Sequence, residues 1–130
     1  MKFDTILLID DDDDDQEIFL TAVKQISATA SFMAMSSARE ALQKLLAGDI
    51  FPEVIFLDLN MPLMSGHEFL SLIKQKQTLA GIPIIVLSTA SDPTTVALTN
   101  DLGAYMFITK PGDFNQLVDL LKPLIRSNQL

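Results

Sequence analysis

Six aspartates stand in one unbroken run, Asp10 to Asp15, and a seventh, Asp58, closes a separate apolar stretch. With Ser88, Thr89 and Lys110 they are the residues of this 130-residue chain whose types can do chemistry together. Asp10 and Asp11 follow Ile6-Leu7-Leu8-Ile9, and Asp58 follows Val54-Ile55-Phe56-Leu57. Ser88 and Thr89 follow Ile84-Ile85-Val86-Leu87, and Lys110 comes one residue beyond Tyr105-Met106-Phe107-Ile108. Carboxylates gathered without a neighbouring His or Cys repel one another unless a cation sits among them, and an all-oxygen set favours a hard ion such as Mg²⁺. An ammonium and a hydroxyl suit phosphoryl oxygens. The reaction class therefore narrows to phosphoryl transfer onto or across a carboxylate, with Asp58 the most central group.

The elements that must position these groups follow from the same pattern. The four apolar runs have strand length, no alternation and much Ile and Val, which predicts strands covered on both faces, as in a parallel sheet. A weaker run, Phe32-Met33-Ala34-Met35, suits a less buried strand near an edge. Helical spacing fills the gaps: Ile18, Ala22 and Ile26 on a first helix, then Ala38, Leu42, Leu45 and Leu46 on a second that Gly48 ends. Phe69, Leu70 and Ile73 mark a third, and Asp92-Pro93 opens a fourth that Gly103 stops. Leu117, Leu120, Leu121 and Leu124 mark the last, which Pro123 must kink or end near Lys122. Strands alternating with helices imply right-handed crossovers and a doubly wound α/β sheet, whose ligands bind beyond the carboxyl ends of the strands.

Composition excludes other classes. Nine Lys and Arg against 17 Asp and Glu give a formal net charge of −8, and the basic residues are scattered, which argues against nucleic-acid binding. The aspartate run accounts for most of that imbalance. Cysteine is absent, which removes disulfides, zinc–thiolate sites and thiol nucleophiles. No apolar stretch approaches the roughly 18 residues of a membrane span, and the Ile6–Ile9 run passes straight into aspartates, unlike a signal peptide. The expectation is one soluble, cytoplasmic domain over residues 1–130, without a separate output domain and without membrane contact, monomeric or weakly homodimeric.

Taken together, Ile6-Leu7-Leu8-Ile9-Asp10-Asp11, Asp58-Leu59-Asn60-Met61-Pro62 with Gly66, Ser88-Thr89-Ala90 and Lys110-Pro111 resemble the receiver domain of bacterial two-component response regulators, in the single-domain, chemotaxis-regulator-like form. The resemblance covers essentially the whole chain. It implies a five-stranded parallel sheet in the flavodoxin-like order 2-1-3-4-5 with five helices. It implies that Asp58 accepts a phosphoryl group from a sensor histidine kinase or histidine phosphotransfer protein in a Mg²⁺-dependent reaction. Asp11, Asp58 and the main-chain carbonyl of Asn60 would hold the metal, with Asp10 acting through water. Lys110 would pair with phosphoryl oxygens, Ser88 would move toward them, and the Phe107 ring would follow. The peptide bond before Pro111 is expected to be cis. The signal would leave through a protein target on the face made by helix 4, strand 5 and helix 5, so the chain acts as a signalling phosphoacceptor rather than as an enzyme.

The sequence also departs from the common pattern. Phe107 stands where many members carry tyrosine, Gly112 where many carry phenylalanine, with Phe114 a partial replacement, and Asp12 to Asp15 extend the acidic pair. Asp12 to Asp15 read better as an acidic first helical turn than as extra metal ligands. Phe107 reads equally as core. His67, after Gly66, reads as an ordinary polar residue at a helix start. Thr89 is the neighbour of Ser88, but successive strand residues face opposite ways and one alone can face the site. Met33, Met35, Met61, Met64 and Met106 read as gap-filling residues near the core. Two rival readings are a non-phosphorylated adaptor of the same fold that docks constitutively and a Mg²⁺-dependent phosphohydrolase. Intact Asp10, Asp11, Asp58, Ser88 and Lys110 oppose the first; Asn60 and the lack of a cap-sized insertion oppose the second.

Overall fold

The computed structural model describes residues 2–61, 63–89 and 91–127, so Pro62 and Ala90 of the segments quoted above lie outside the described residues. The elements run β1 (Thr5–Ile9), α1 (Asp13–Ile26), β2 (Ser31–Met35), α2 (Ala38–Ala47), β3 (Val54–Asp58), α3 (Gly66–Lys74), β4 (Ile84–Ser88), α4 (Pro93–Asp101), β5 (Met106–Thr109) and α5 (Phe114–Leu121). All strand pairs are parallel, and the sheet order is β2-β1-β3-β4-β5. The fold is the five-stranded, doubly wound α/β sheet with five helices that the sequence predicts. Among the described residues no helix is long and apolar enough to cross a membrane.

Each helix starts at a side-chain cap that satisfies backbone N–H groups with no partner inside the helix. Asp12 accepts from Asp14 and Asp15 N–H, Ser37 from Glu40, Ser65 from Glu68, Asp92 from Thr95 and Asp113 from Gln116. Gly48, at φ 75°, ends α2 in the left-handed conformation that glycine adopts without strain. Pro123 follows the Lys122 cap of α5 and ends that helix.

Strand alternation divides the core in two. Ile6, Leu8, Phe56, Ile85, Leu87 and Ile108 face α1 and α5, while Leu7, Ile9, Ile55, Leu57 and Ile84 face α2 and α3. Phe19 of α1 locks the first layer, with ring centroids 5.0 Å from Phe56 and 5.8 Å from Phe32. Some expected core residues lie outside. Ile18 is 47% exposed and Leu46 49%, because the buried stripes are Phe19, Ala22, Val23 and Ile26 on α1 and Ala38, Ala41, Leu42 and Leu45 on α2, each one residue out of phase with them. Leu120 is exposed on α5 for the same reason.

The Tyr105–Ile108 run was expected to be covered on both faces. Instead Tyr105 precedes β5 and is exposed, as is Met106, because β5 is an edge strand with only β4 beside it. Met33 is exposed on the opposite edge strand, while Met35 is buried and Met61 and Met64 pack partly against the second layer. Thr99 is the one buried residue of α4, so that helix is thinly anchored.

Gly66 seats α3 against the end of β3. Its N–H donates to Leu59 O at 3.1 Å, and a Cβ at this position would meet Asp58 O and Leu59 Cα at 2.7 Å each. Both are backbone atoms and cannot swing aside. Gly66→Ala is therefore expected to destabilise the domain by about 1–3 kcal/mol, read as a lower denaturation midpoint in urea at an unchanged slope. An unchanged midpoint would mean that the α3 start has room to move off β3.

Candidate functional site

The alternation that builds the first core layer also aims the chemistry. Asp10 continues the Ile6, Leu8 row one residue past β1, Asp58 continues Val54, Phe56 at the last residue of β3, and Lys110 continues Met106, Ile108 one residue past β5. Their side chains therefore project from one end of the sheet toward the same side. β1 and β3 are direct neighbours, which puts Asp10 beside Asp58. Asp11, exposed at the start of the β1–α1 turn, completes the group: Asp10, Asp11 and Asp58 each place a carboxylate oxygen within 4.8 Å of the others.

Asp10 and Asp58 are buried, at 2% and 7% exposure. Asp10 Oδ1 accepts from Asp12 N–H at 2.9 Å, and Asp58 Oδ1 accepts from Asn60 N–H at 3.2 Å. The Lys110 ammonium reaches three carboxylates: Nζ is 3.2 Å from Asp10 Oδ2, 3.1 Å from Asp15 Oδ2 and 3.9 Å from Asp58 Oδ2. Burial pushes the Asp10 carboxyl above its ordinary range, against the pull of the Asp12 N–H and Lys110. Burial likewise raises Asp58, with the Asp10 and Asp11 charges adding to it and Lys110 and the Asn60 N–H opposing. Burial by itself would lower the Lys110 ammonium, but its pairs with Asp15, Asp10 and Asp58 outweigh that and hold it above the ordinary lysine value.

Ser88 ends β4 and is fully buried, while Thr89 is exposed. The Ser88 carbonyl accepts from Lys110 N–H at 2.8 Å, which fixes the height of Lys110 against the sheet. Phe107 is half-buried on β5 opposite Val86. His67 is half-buried in the first turn of α3, outside the acidic group. Asn60 lies two residues past Asp58 and is exposed. The expectation of a cis bond before Pro111 is not met: no described peptide bond is cis, and Lys110–Pro111 is trans. Trans is the intrinsic preference of an X–Pro bond by about 0.5–1 kcal/mol, and Lys110 makes all the contacts above with the bond in that form.

The extended aspartate run resolves into separate roles. Asp12 is the helix cap, and Asp13 and Asp14 are exposed in the first turn. Asp15 faces back to Lys110, a partner 95 residues away that sequence reasoning missed. The signal for it is weak: Asp15 is the third residue of a helix capped by Asp12, which turns it toward the strand ends, but the spacing does not name its partner. Gln16, also missed, donates through Nε2 to Asp10 O at 2.6 Å and to Ser36 Oγ at 3.2 Å, tying α1 to the end of β1 and to the turn after β2. Beside Lys110 and Asp15 opens a cavity of about 330 Å³ walled by Ile18, Phe19, Leu87, Phe114 and Leu117.

Chemically, three carboxylates at this spacing, two of them largely out of water, form a donor set that suits a hard divalent cation, and no soft ligand competes. Burial, with a smaller contribution from neighbouring carboxylates, makes Asp10 and Asp58 costly to charge. A carboxyl raised in the fold binds more protons folded than unfolded, so its contribution to stability falls as pH rises from about 4 through the raised folded value. Asp58→Asn is expected to raise the metal-free melting temperature at pH 7.5, and to raise it less at pH 5, where wild-type Asp58 carries more protons. If this group holds Mg²⁺ in the folded state alone, the ion is expected to stabilise wild type by about 2.7 kcal/mol at a hundred times its Kd, well beyond matched NaCl. Thermal melts at both pH values check this; a wild type indifferent to Mg²⁺ would mean that the three-carboxylate group does not hold the ion.

A family profile for the response regulator receiver domain matches residues 6–122. Among curated proteins, the chain is 31% identical over 118 residues to the probable methanogenesis regulatory protein FilR2 of Methanothrix harundinacea, covering 86% of this chain and 75% of that protein. Other curated relatives are longer: the chain spans 35% of the probable transcriptional regulator ycf29 of Pyropia yezoensis, at 32% identity over 60% of this chain. Among solved structures, the phosphorylated cyanobacterial phytochrome response regulator RcpA is 29% identical with a TM-score of 0.85, over 93% of this chain and 90% of that one. The Mn²⁺-bound form of the response regulator Rcp1 is 26% identical with a TM-score of 0.81, over 91% and 88%.

Proposed function

The chain belongs to the family of response regulator receiver domains, which are signalling proteins, and from that premise we propose that it accepts a phosphoryl group on Asp58 and signals through a partner protein. The observation that carries the reading is the gathering of Asp10, Asp11 and Asp58 within 4.8 Å, with the Lys110 ammonium 3.9 Å from Asp58 Oδ2. The donor in this proposal is the phosphohistidine of a kinase or phosphotransfer protein. An Asp58 carboxylate oxygen attacks phosphorus, the P–O bond forms as the P–N bond breaks, and the departing imidazole keeps the electron pair and takes up a proton. Lys110 offsets charge on the phosphoryl oxygens. Mg²⁺ held by Asp11, Asp58 and the Asn60 carbonyl, with Asp10 through water, would neutralise the negative charge that nucleophile and phosphoryl group bring together.

The output proceeds from the same site. Ser88, at the carboxyl end of β4, moves to the phosphoryl group, and Phe107 on the neighbouring strand turns into the space it leaves. The face that would change is formed by α4, β5 and α5. Its support is the thin anchoring of α4 together with exposed Leu98, Tyr105, Met106 and Leu120 along those elements, an apolar surface suited to a protein target. Constitutive docking without phosphorylation is the alternative.

Incubation with acetyl phosphate and Mg²⁺ is expected to add one phosphoryl group by intact mass, and Asp58→Asn to abolish it. Full labelling of that variant at another residue would remove Asp58 from its role; failure of a folded, Mg²⁺-binding wild type to label from any phosphohistidine donor would favour the adaptor reading. For the switch, ring-proton spectra of Phe107 are expected to differ with and without beryllofluoride, a phosphoryl mimic. One ring environment in both states would reduce Phe107 to a core residue.

A further inference from the structure

Lys110, the residue proposed to meet the phosphoryl group, is hydrogen-bonded to two carboxylates and neither is Asp58. Its Nζ lies 3.1 Å from Asp15 Oδ2 and 3.2 Å from Asp10 Oδ2, whereas the 3.9 Å to Asp58 Oδ2 is an ion pair beyond hydrogen-bond length. The two partners differ in what release would cost. The Asp10 side chain is 3% exposed, so losing the ammonium would strand a buried charge. The Asp15 side chain is 44% exposed and sits in the first turn of α1, where water and the helix N-terminus stabilise its charge without Lys110. Asp15 is also outside the three-carboxylate group that would hold metal. We propose that Asp15 is a positioning residue that holds the Lys110 ammonium off Asp58 in the resting state, so that phosphoryl uptake proceeds by exchanging the Asp15 pair for phosphoryl oxygens.

This inference rests on the phosphoacceptor reading and adds to it a threshold set by one surface carboxylate. The ammonium has three donors and no acceptor, so each hydrogen bond it keeps with Asp15 is one it cannot offer to a phosphoryl oxygen. The exchange also parts the first turn of α1 from the residue that leads into the β5–α5 loop. Because the pair is partly exposed, its removal is expected to change affinity about two- to fivefold.

The test is titration of beryllofluoride with saturating Mg²⁺, read by fluorine NMR, on the full chain and folded variants. Asp15→Asn is expected to tighten apparent affinity about two- to fivefold, and Asp15→Glu, which keeps the charge, to stay near wild type. Asp14→Asn removes the same charge from the adjacent, exposed position and is expected to do less. In a Lys110→Ala background Asp15→Asn is expected to change nothing; where that background binds too weakly to titrate, the Asp14 comparison decides. Equal tightening from Asp14→Asn and Asp15→Asn, persistence of the effect without Lys110, or weaker binding by Asp15→Asn would each overturn the positioning role while leaving the phosphoacceptor reading standing. A folded, Mg²⁺-binding wild type that does not bind beryllofluoride would overturn both.

Discussion

A carboxylate drawn out of water is costly to charge, and the burial of Asp10 and Asp58 side by side at the ends of two neighbouring strands, with Asp11 beside them, makes that cost the constraint this structure is arranged around. Burial raises Asp10 and Asp58. The opposing groups come from every side: the Asp12 N–H from the helix cap, the Asn60 N–H from the loop after β3, and the Lys110 ammonium from beyond β5. The two N–H groups are local, each two residues beyond the carboxylate it serves, and only the ammonium arrives from a distant part of the chain. The single remote cation therefore couples the end of β5 to the ends of β1 and β3.

The sheet supplies the rigidity. β1, β3 and β4 are buried throughout or nearly so, and their alternate side chains fill two apolar layers without gaps in the pattern. Closely packed interiors of this kind have low compressibility, so the strand ends are held in fixed relative positions. Gly66 then brings the start of α3 against the backbone of Asp58, closer than any side chain would allow. Rigidity is not uniform, however. The half of the molecule around β1 and β3 is packed on both faces, while α4 and β5 bury little. α4 and β5 are therefore the elements that shift at the smallest cost, because few packed contacts must be remade.

Much of this was legible along the chain. The four apolar runs marked four of the five strands, since residues covered on both sheet faces cannot alternate, and the weaker Phe32–Met35 run marked the exposed edge strand β2. The start of α4 at Asp92-Pro93 and the stops at Gly48, Gly103 and Pro123 were legible because caps and breakers act through their own backbone geometry. Errors arose where burial depended on neighbours. Ile18, Leu46 and Leu120 fit a helical spacing as well as the residues that are buried, and only the packed helix selects the stripe. Tyr105 and Met106 belong to an apolar run no different from the others, and their exposure follows from β5 lying at an edge.

The sequence alone determined that acidic groups, hydroxyls and an ammonium would stand at the carboxyl ends of parallel strands, because strand ends follow from local composition and a doubly wound sheet aligns them. Which groups touch was decided by the tertiary structure. Six consecutive aspartates look alike in sequence, yet one is buried beside Asp58, one completes the three-carboxylate group from the exposed side, one caps a helix, two are solvated and one, in the first turn of α1, pairs with Lys110. Those roles diverge because the chain turns from strand to helix within the run, which returns Asp15 to the Lys110 that Asp10 also meets and sends Asp13 and Asp14 out to solvent. The partner that distinguishes Asp15 arrives from 95 residues away, carried by a strand whose place in the sheet no local pattern specifies.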